Sequence, residues 1–170
     1  MKATELLDTL KQFHKQKLAL LRRHVASARH VIDYDFNNTY QYVINREEMH
    51  VQWVADAVED VATALAHTDL NLDDVAEPDV SVSGKGKAAQ SSVFAQDRDS
   101  AKAFVEKWSP IVASLKHARH RTMLNVVLGE TLEHMRFFEQ AAGGNLDLLG
   151  RRDGGESTGG EVLPVRWIEQ

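Results

Sequence analysis

Between residues 43 and 65 the apolar positions advance by four and three, and two places on that stripe hold ionisable residues. The run is Val43, Glu47, His50, Val54, Ala57, Val61 and Leu65. Steps of four and three place every member on one face of an α-helix, the face that packs inward. Glu47 and His50, three apart, therefore point side by side into the interior where Val or Leu is expected. A lone buried carboxylate costs several kcal/mol, so the pair calls for a partner. For Glu-x-x-His inside a helical bundle, a metal ion is the partner that most often supplies the compensation.

The remaining composition narrows the chemistry. The 170 residues are the length of one domain and bury a core without disulfides. Cysteine is absent, which removes thiolate nucleophiles and sulfur-ligated metals, so any metal takes nitrogen and oxygen ligands. A net charge of -5 and a pI near 5.9 argue against binding nucleic acid. The basic cluster Lys116, His117, Arg119, His120 and Arg121 reads as a solvated helix face. No apolar run is long enough for a membrane span, and the first thirty residues lack the layout of a secretory signal, so a cytoplasmic location is expected.

Along the chain, Leu7, Leu10, Leu18, Leu21, Val25, Ala28 and Ile32 predict helix A from residue 3 to about 32. The turn-forming residues 33–38 then reverse the chain, and helix B starts near Asn37 or Asn38 and ends near His67. Residues 68–97, with Pro78, Gly84 and Gly86, read as a long crossover with a little extended structure around Val80 and Val82. A short helix C is expected over 97–108. Ser109-Pro110 resembles the start of helix D, which runs to Ala142 either unbroken or with a hairpin near residues 119–122. Two regions result: a helical bundle over 1–143 and a Gly-rich C-terminal tail over 144–170, in which residues 162–167 (VLPVRW) are apolar enough to dock back.

Helix D carries a second interrupted stripe, Met123, Val127, Glu130, His134, Phe137 and Ala141, which sets Glu130 and His134 toward the core together. Taken singly, a histidine on an apolar face is more often a satisfied core residue than a ligand. Two helices that each pair one with a same-face acid point to metal. Glu133 lies one position round the helix as a further acceptor.

These features resemble the ferritin-like superfamily, in its rubrerythrin and carboxylate di-iron branch, over residues 3–142. The resemblance rests on Glu47-Glu48-Met49-His50 followed by Val-Gln-Trp, the A–B hairpin, the long B-to-C crossover and the acid/histidine cluster in the last helix. It implies an all-α, ferritin-like four-helix bundle with a long crossover between helices B and C. Within it Glu47 is a bridging carboxylate and His50 a terminal imidazole. The family's second Glu-x-x-His is replaced here, since position 131 is Thr, and Glu130 or Glu133 with His134 stands in. The family also carries a glutamate in mid-helix A, where this chain offers only His24 level with Glu47 and His50.

The implied ligand set is Glu47, His50, Glu130, His134, Glu133 and His24, holding Fe, in a centre of one or two ions, or alternatively Mn or Zn. The function implied is an iron-dependent oxidoreductase or an iron-handling protein, with Tyr40 and Tyr42 close enough for redox roles or core packing. A DinB-like mononuclear metalloenzyme is the rival resemblance, weakened because Glu130 stands where its second histidine belongs. A bundle that has lost its metal and serves as a structural or interaction module is the alternative from another class. Because helix C reads as short, a second copy of the chain is expected to cover the exposed face as a homodimer. No residue pattern identifies a small-molecule substrate.

Overall fold

The computed structural model describes residues 3–66, 72–82, 85–146 and 148–149, in which the chain forms four helices and no strand. They are α1 (Ala3–Ala28), α2 (Tyr34–Ala64), α3 (Lys87–Ala113) and α4 (Ala118–Ala142). None is long and apolar enough to cross a membrane, among the described residues. The helices pack chiefly as two pairs, α1 with α2 and α3 with α4, joined by lesser contacts of α1 with α3 and α2 with α4.

Two apolar clusters occupy the two ends of the bundle, and they fix the direction of every helix. One contains Leu6 and Phe13 from the start of α1, Val58 and Val61 from the end of α2, Phe104 and Trp108 from the second half of α3, and Leu124 from the start of α4. The other contains Ala26, Phe36, Tyr40, Phe94 and Phe138 from the opposite halves of the same helices. Hence α1 and α4 run one way, and α2 and α3 both run the other. Between α2 and α3, Leu72 packs against the first cluster and Val80 is buried in the second. No extended pairing forms there among the described residues.

Several boundaries differ from expectation. Helix α2 begins at Tyr34, because Asp33 is its cap, accepting a hydrogen bond from Phe36 N at 3.0 Å. Starting there lets Phe36 and Tyr40, both fully buried, join the second cluster. The larger correction is α3, which is 27 residues long and contains Pro110. Its N-cap, Gly86, takes φ 58, a left-handed conformation open to glycine. Proline inside a helix costs about 3 kcal/mol. Trp108 and Val112, on the inward face either side of Pro110, and Leu115, just past the end of α3, are all buried, and each such burial returns about 1.5–3 kcal/mol, so continuing the helix wins. The exposed Ser109 donates to Val105 O at 2.7 Å as an ordinary helical residue. The chain reverses instead at residues 114–117, before the expected hairpin position. With α3 this long, the short helix C that motivated a covering second copy does not exist. The apolar segment 162–167 lies outside the described residues.

Candidate functional site

Between the two apolar clusters lies a polar layer contributed by three helices. Lys17 and His24 come from α1, Glu47 and His50 from α2, and Thr131 and His134 from α4, all buried to within 1% exposure. On α2 the expected stripe holds in full from Val43 to Val61. On α4 the buried face is Leu124, Val127, Leu128, Thr131, His134, Phe138 and Ala141, rotated by about one residue from the expected one. Thr131 is therefore the inward neighbour of His134. Glu130 sits at the rim with 25% side-chain exposure, and Glu133 is exposed outside the layer.

Glu47 is the hub. Its Oε2 accepts from His24 Nδ1 at 2.7 Å, and its Oε1 accepts from Lys17 Nζ at 2.7 Å. Lys17 Nζ also donates to Thr131 Oγ1 at 2.9 Å, whose hydroxyl donates onward to Val127 O at 2.7 Å. His134 Nδ1 stands 3.7 Å from Glu47 Oε1, beyond hydrogen-bonding distance. Burial pushes the Glu47 carboxyl up, but the adjacent His24 and Lys17 outweigh it and hold the group well below the usual carboxylate range. Burial lowers the Lys17 ammonium, which Glu47 opposes. The pair is thus an ion pair, Lys17 cationic and Glu47 anionic.

At the rim, Arg46 grips Glu130 with two parallel bonds, Nε to Oε2 at 2.9 Å and Nη2 to Oε1 at 2.6 Å. His50 Nε2 donates to the same carboxylate at 2.8 Å. The hydrogen bond from Arg46 holds Glu130 below its ordinary value. Burial, with the Lys17 charge, lowers His50 to about 4, and burial lowers His134 as well, so both imidazoles are neutral near pH 7. Three ring nitrogens in the layer are buried without a partner among the described residues: His24 Nε2, His50 Nδ1 and His134 Nδ1. Buried polar atoms of this kind are usually satisfied by ordered water or by an ion.

A second network lies beside the first. The buried Asp97 of α3 accepts from Arg23 Nε at 2.8 Å, Ser27 Oγ at 3.0 Å and Tyr40 Oη at 2.5 Å. Burial and the Asp97 charge raise Tyr40 well above the ordinary phenol value. Tyr42, the other candidate aromatic, is 39% exposed and packs edge-on against His134 and Phe137.

The structure thus brings together His24, Glu47 and His134, with His50 stacked on His134 at 6.2 Å between ring centres and bonded outward to Glu130, while Glu133 lies outside the layer. Lys17 and Asp97 are functional residues the sequence reading does not include, and Thr131 enters it only as the place where the family's glutamate is missing. Lys17 had a signal, because Leu10, Phe13, Lys17, Leu21 and His24 step by three and four along α1. Among the described residues no group of three or more His, Cys, Asp or Glu side chains is arranged to hold a metal. Comparison with protein-family models, with curated proteins and with solved structures found no match to this chain.

A carboxylate di-metal centre in a bundle takes a Glu from each of two helices and Glu-x-x-His from each of the other two. Here α1 presents Lys17, α4 presents Thr131, and the acid of α3, Asp97, is spent on Arg23, Ser27 and Tyr40. One negative charge, Glu47, is already matched by one positive charge. A divalent ion about 4 Å from the Lys17 ammonium meets a repulsion of roughly 8 kcal/mol at an effective dielectric constant of 20. Before the attraction of Glu47 is counted, that offsets about half or more of the roughly 10–16 kcal/mol a structural zinc site provides. The residues present do not fit such a centre.

Proposed function

We propose that this chain is a ferritin-like four-helix bundle whose centre is neutralised by Lys17 in place of a metal ion, and that it serves as a metal-independent structural or interaction module. The observation that carries this reading is the 2.7 Å contact of Lys17 Nζ with Glu47 Oε1, completed by Thr131 Oγ1. The ferritin-like assignment is supported by the shared direction of α2 and α3 and by the segment between them, which has Leu72 at one end of the bundle and Val80 at the other. The DinB-like alternative loses support because Glu130 is held by Arg46 at the rim.

A second reading is a metal-loaded bundle carrying Fe, Mn or Zn, acting in oxidation or iron handling. It is favoured by the unpaired nitrogens of His24, His50 and His134, and it requires Lys17 to withdraw or lose its proton. One experiment separates the two. Elemental analysis of the purified protein, before and after incubation with Fe(II), Mn(II) and Zn(II), is expected to find far less than one ion per chain, and a strong chelator to leave the melting temperature unchanged. Stoichiometric metal together with a chelator-induced fall of many degrees would establish the second reading.

A further inference from the structure

Gly129 stands in the middle of α4, on the face turned away from the bundle. Only proline is less favourable than glycine inside a helix, so its presence there calls for a reason. The fold supplies none: its φ is not left-handed, and a Cβ added to it would meet nothing within 4 Å among the described residues. What glycine offers is bare backbone that a second helix can approach closely. The turn before it on the same face is uncharged, with Asn125 exposed and Val126 44% exposed. The charges of α4 divide about the same point. Its first half carries Arg119 and Arg121 and no acid, whereas its second half carries Glu130, Glu133 and Glu139 with Arg136. Asp60 holds Arg119, and Arg46 holds Glu130. The others still leave the first half positive, through Arg121, and the second negative, through Glu133 and Glu139 against Arg136. A second α4 laid antiparallel across Gly129 therefore meets opposite charge along its length, and a parallel one meets like charge. The face is its own complement, as an isologous two-fold contact requires.

We propose that the outer face of α4 binds a second copy of this chain, the two helices crossing antiparallel at Gly129 about a two-fold axis. This gives the interaction-module reading above, on which it rests, a partner. Its ground is the charge pattern and bare backbone of α4, and not the length of another helix. The symmetry brings residues equally far on either side of Gly129 level with each other across the contact. Val126 comes level with the second copy's Leu132, and Thr122 with the second copy's Arg136. Thr122 and Arg136 are both exposed, so each is available to the other copy. Within one chain they stand about 21 Å apart along α4 and cannot touch, since a helix rises about 1.5 Å per residue.

Sedimentation velocity of the full-length chain, from about 1 to about 200 µM, should show a reversible monomer–dimer equilibrium. Gly129→Leu has room for its side chain within its own chain and a better helix propensity. In dilute, monomeric protein it should therefore keep or raise the melting temperature, while the dimer dissociation constant rises at least about tenfold as the close crossing is blocked. Thr122→Arg sets like charges level with each other and should weaken the dimer about fivefold, and adding Arg136→Glu to the same chain should restore it. That rescue passes only through the second copy. A monomer across the whole concentration range would overturn the proposal. So would a dimer indifferent to Gly129→Leu, or a Thr122→Arg defect that Arg136→Glu leaves in place. Metal content of the same sample tests the metal-independent reading by itself: a metal-loaded chain would overturn that reading, and a monomeric one this interface.

Discussion

Lys17 Nζ stands 2.7 Å from Glu47 Oε1 in the middle of the bundle, and neither side chain has any exposure to solvent. Each ion makes the other tolerable: removing one partner of a buried pair strands the other charge, at about 3–5 kcal/mol. Lys17→Met and Glu47→Leu are each expected to lower the unfolding free energy by about that much, measured in urea. The double variant should lose clearly less than the sum, since no uncompensated charge is left and replacing both ions by apolar groups is often close to neutral. Strictly additive losses would show that the two residues do not act as a pair.

If Lys17 neutralises the layer in place of a metal, as proposed, acids at Lys17 and Thr131 should give it a metal affinity greater than that of the native chain. Lys17→Glu removes the repelling ammonium, and Thr131→Glu recreates Glu-x-x-His with His134. With Glu47 and His50 already in place, the double variant should take up Fe(II) or Zn(II) at about one ion per chain or more, and its melting temperature should become sensitive to chelator. Metal uptake no greater than that of the wild type would mean these positions do not face a common centre.

Acid should destabilise the fold well above the ordinary range of carboxylate titration. His50 is lowered to about 4, and burial also lowers His134 and His14 from 6.5. Between those folded values and 6.5 the unfolded chain binds more protons than the folded one, so stability falls as the pH drops. For His50 the loss runs from about 6.5 down to about 4, at no more than roughly 1.4 kcal/mol per pH unit, and is complete below that. Glu47, held low in the fold, adds a further loss as the pH falls below 4.5. Unfolding midpoints that stay level from pH 7.5 to 5 would contradict this account, and His50→Gln should flatten the profile in that window.

Pro110 gives a test of the α3 boundary. It lies inside α3, where it removes a backbone hydrogen bond, so Pro110→Ala should raise stability by about 1–3 kcal/mol. At the first position of a separate helix the same change would be neutral or unfavourable. A thermal melt of the variant distinguishes the two placements by the sign of the shift.

How far the chain could be read without its fold follows from the range of each signal. Helical periodicity is local, and it was enough to place the α2 face from Val43 to Val61, including Glu47 and His50. Folding the A–B hairpin back at residues 33–37 likewise sets His24 level with Glu47, and the two are bonded at 2.7 Å. The α4 stripe failed by one residue, because a helix turns about 100° per residue and the neighbouring stripes at Glu130 and Thr131 both carry apolar companions. Only packing against α1, α2 and α3 chose the one that buries Leu124, Leu128 and Phe138. Likewise Ser109-Pro110 carries a genuine local preference for starting a helix, which the burial of Val112 and Leu115 against other helices overrides. The least local of these features is the counter-charge beside Glu47. Glu47 announced in the sequence that a buried carboxylate needs a counter-charge, but that charge lies 30 residues away on another helix. Whether it is an ion from outside or Lys17 from within depends on which side chains meet across the bundle, a property of the tertiary structure alone.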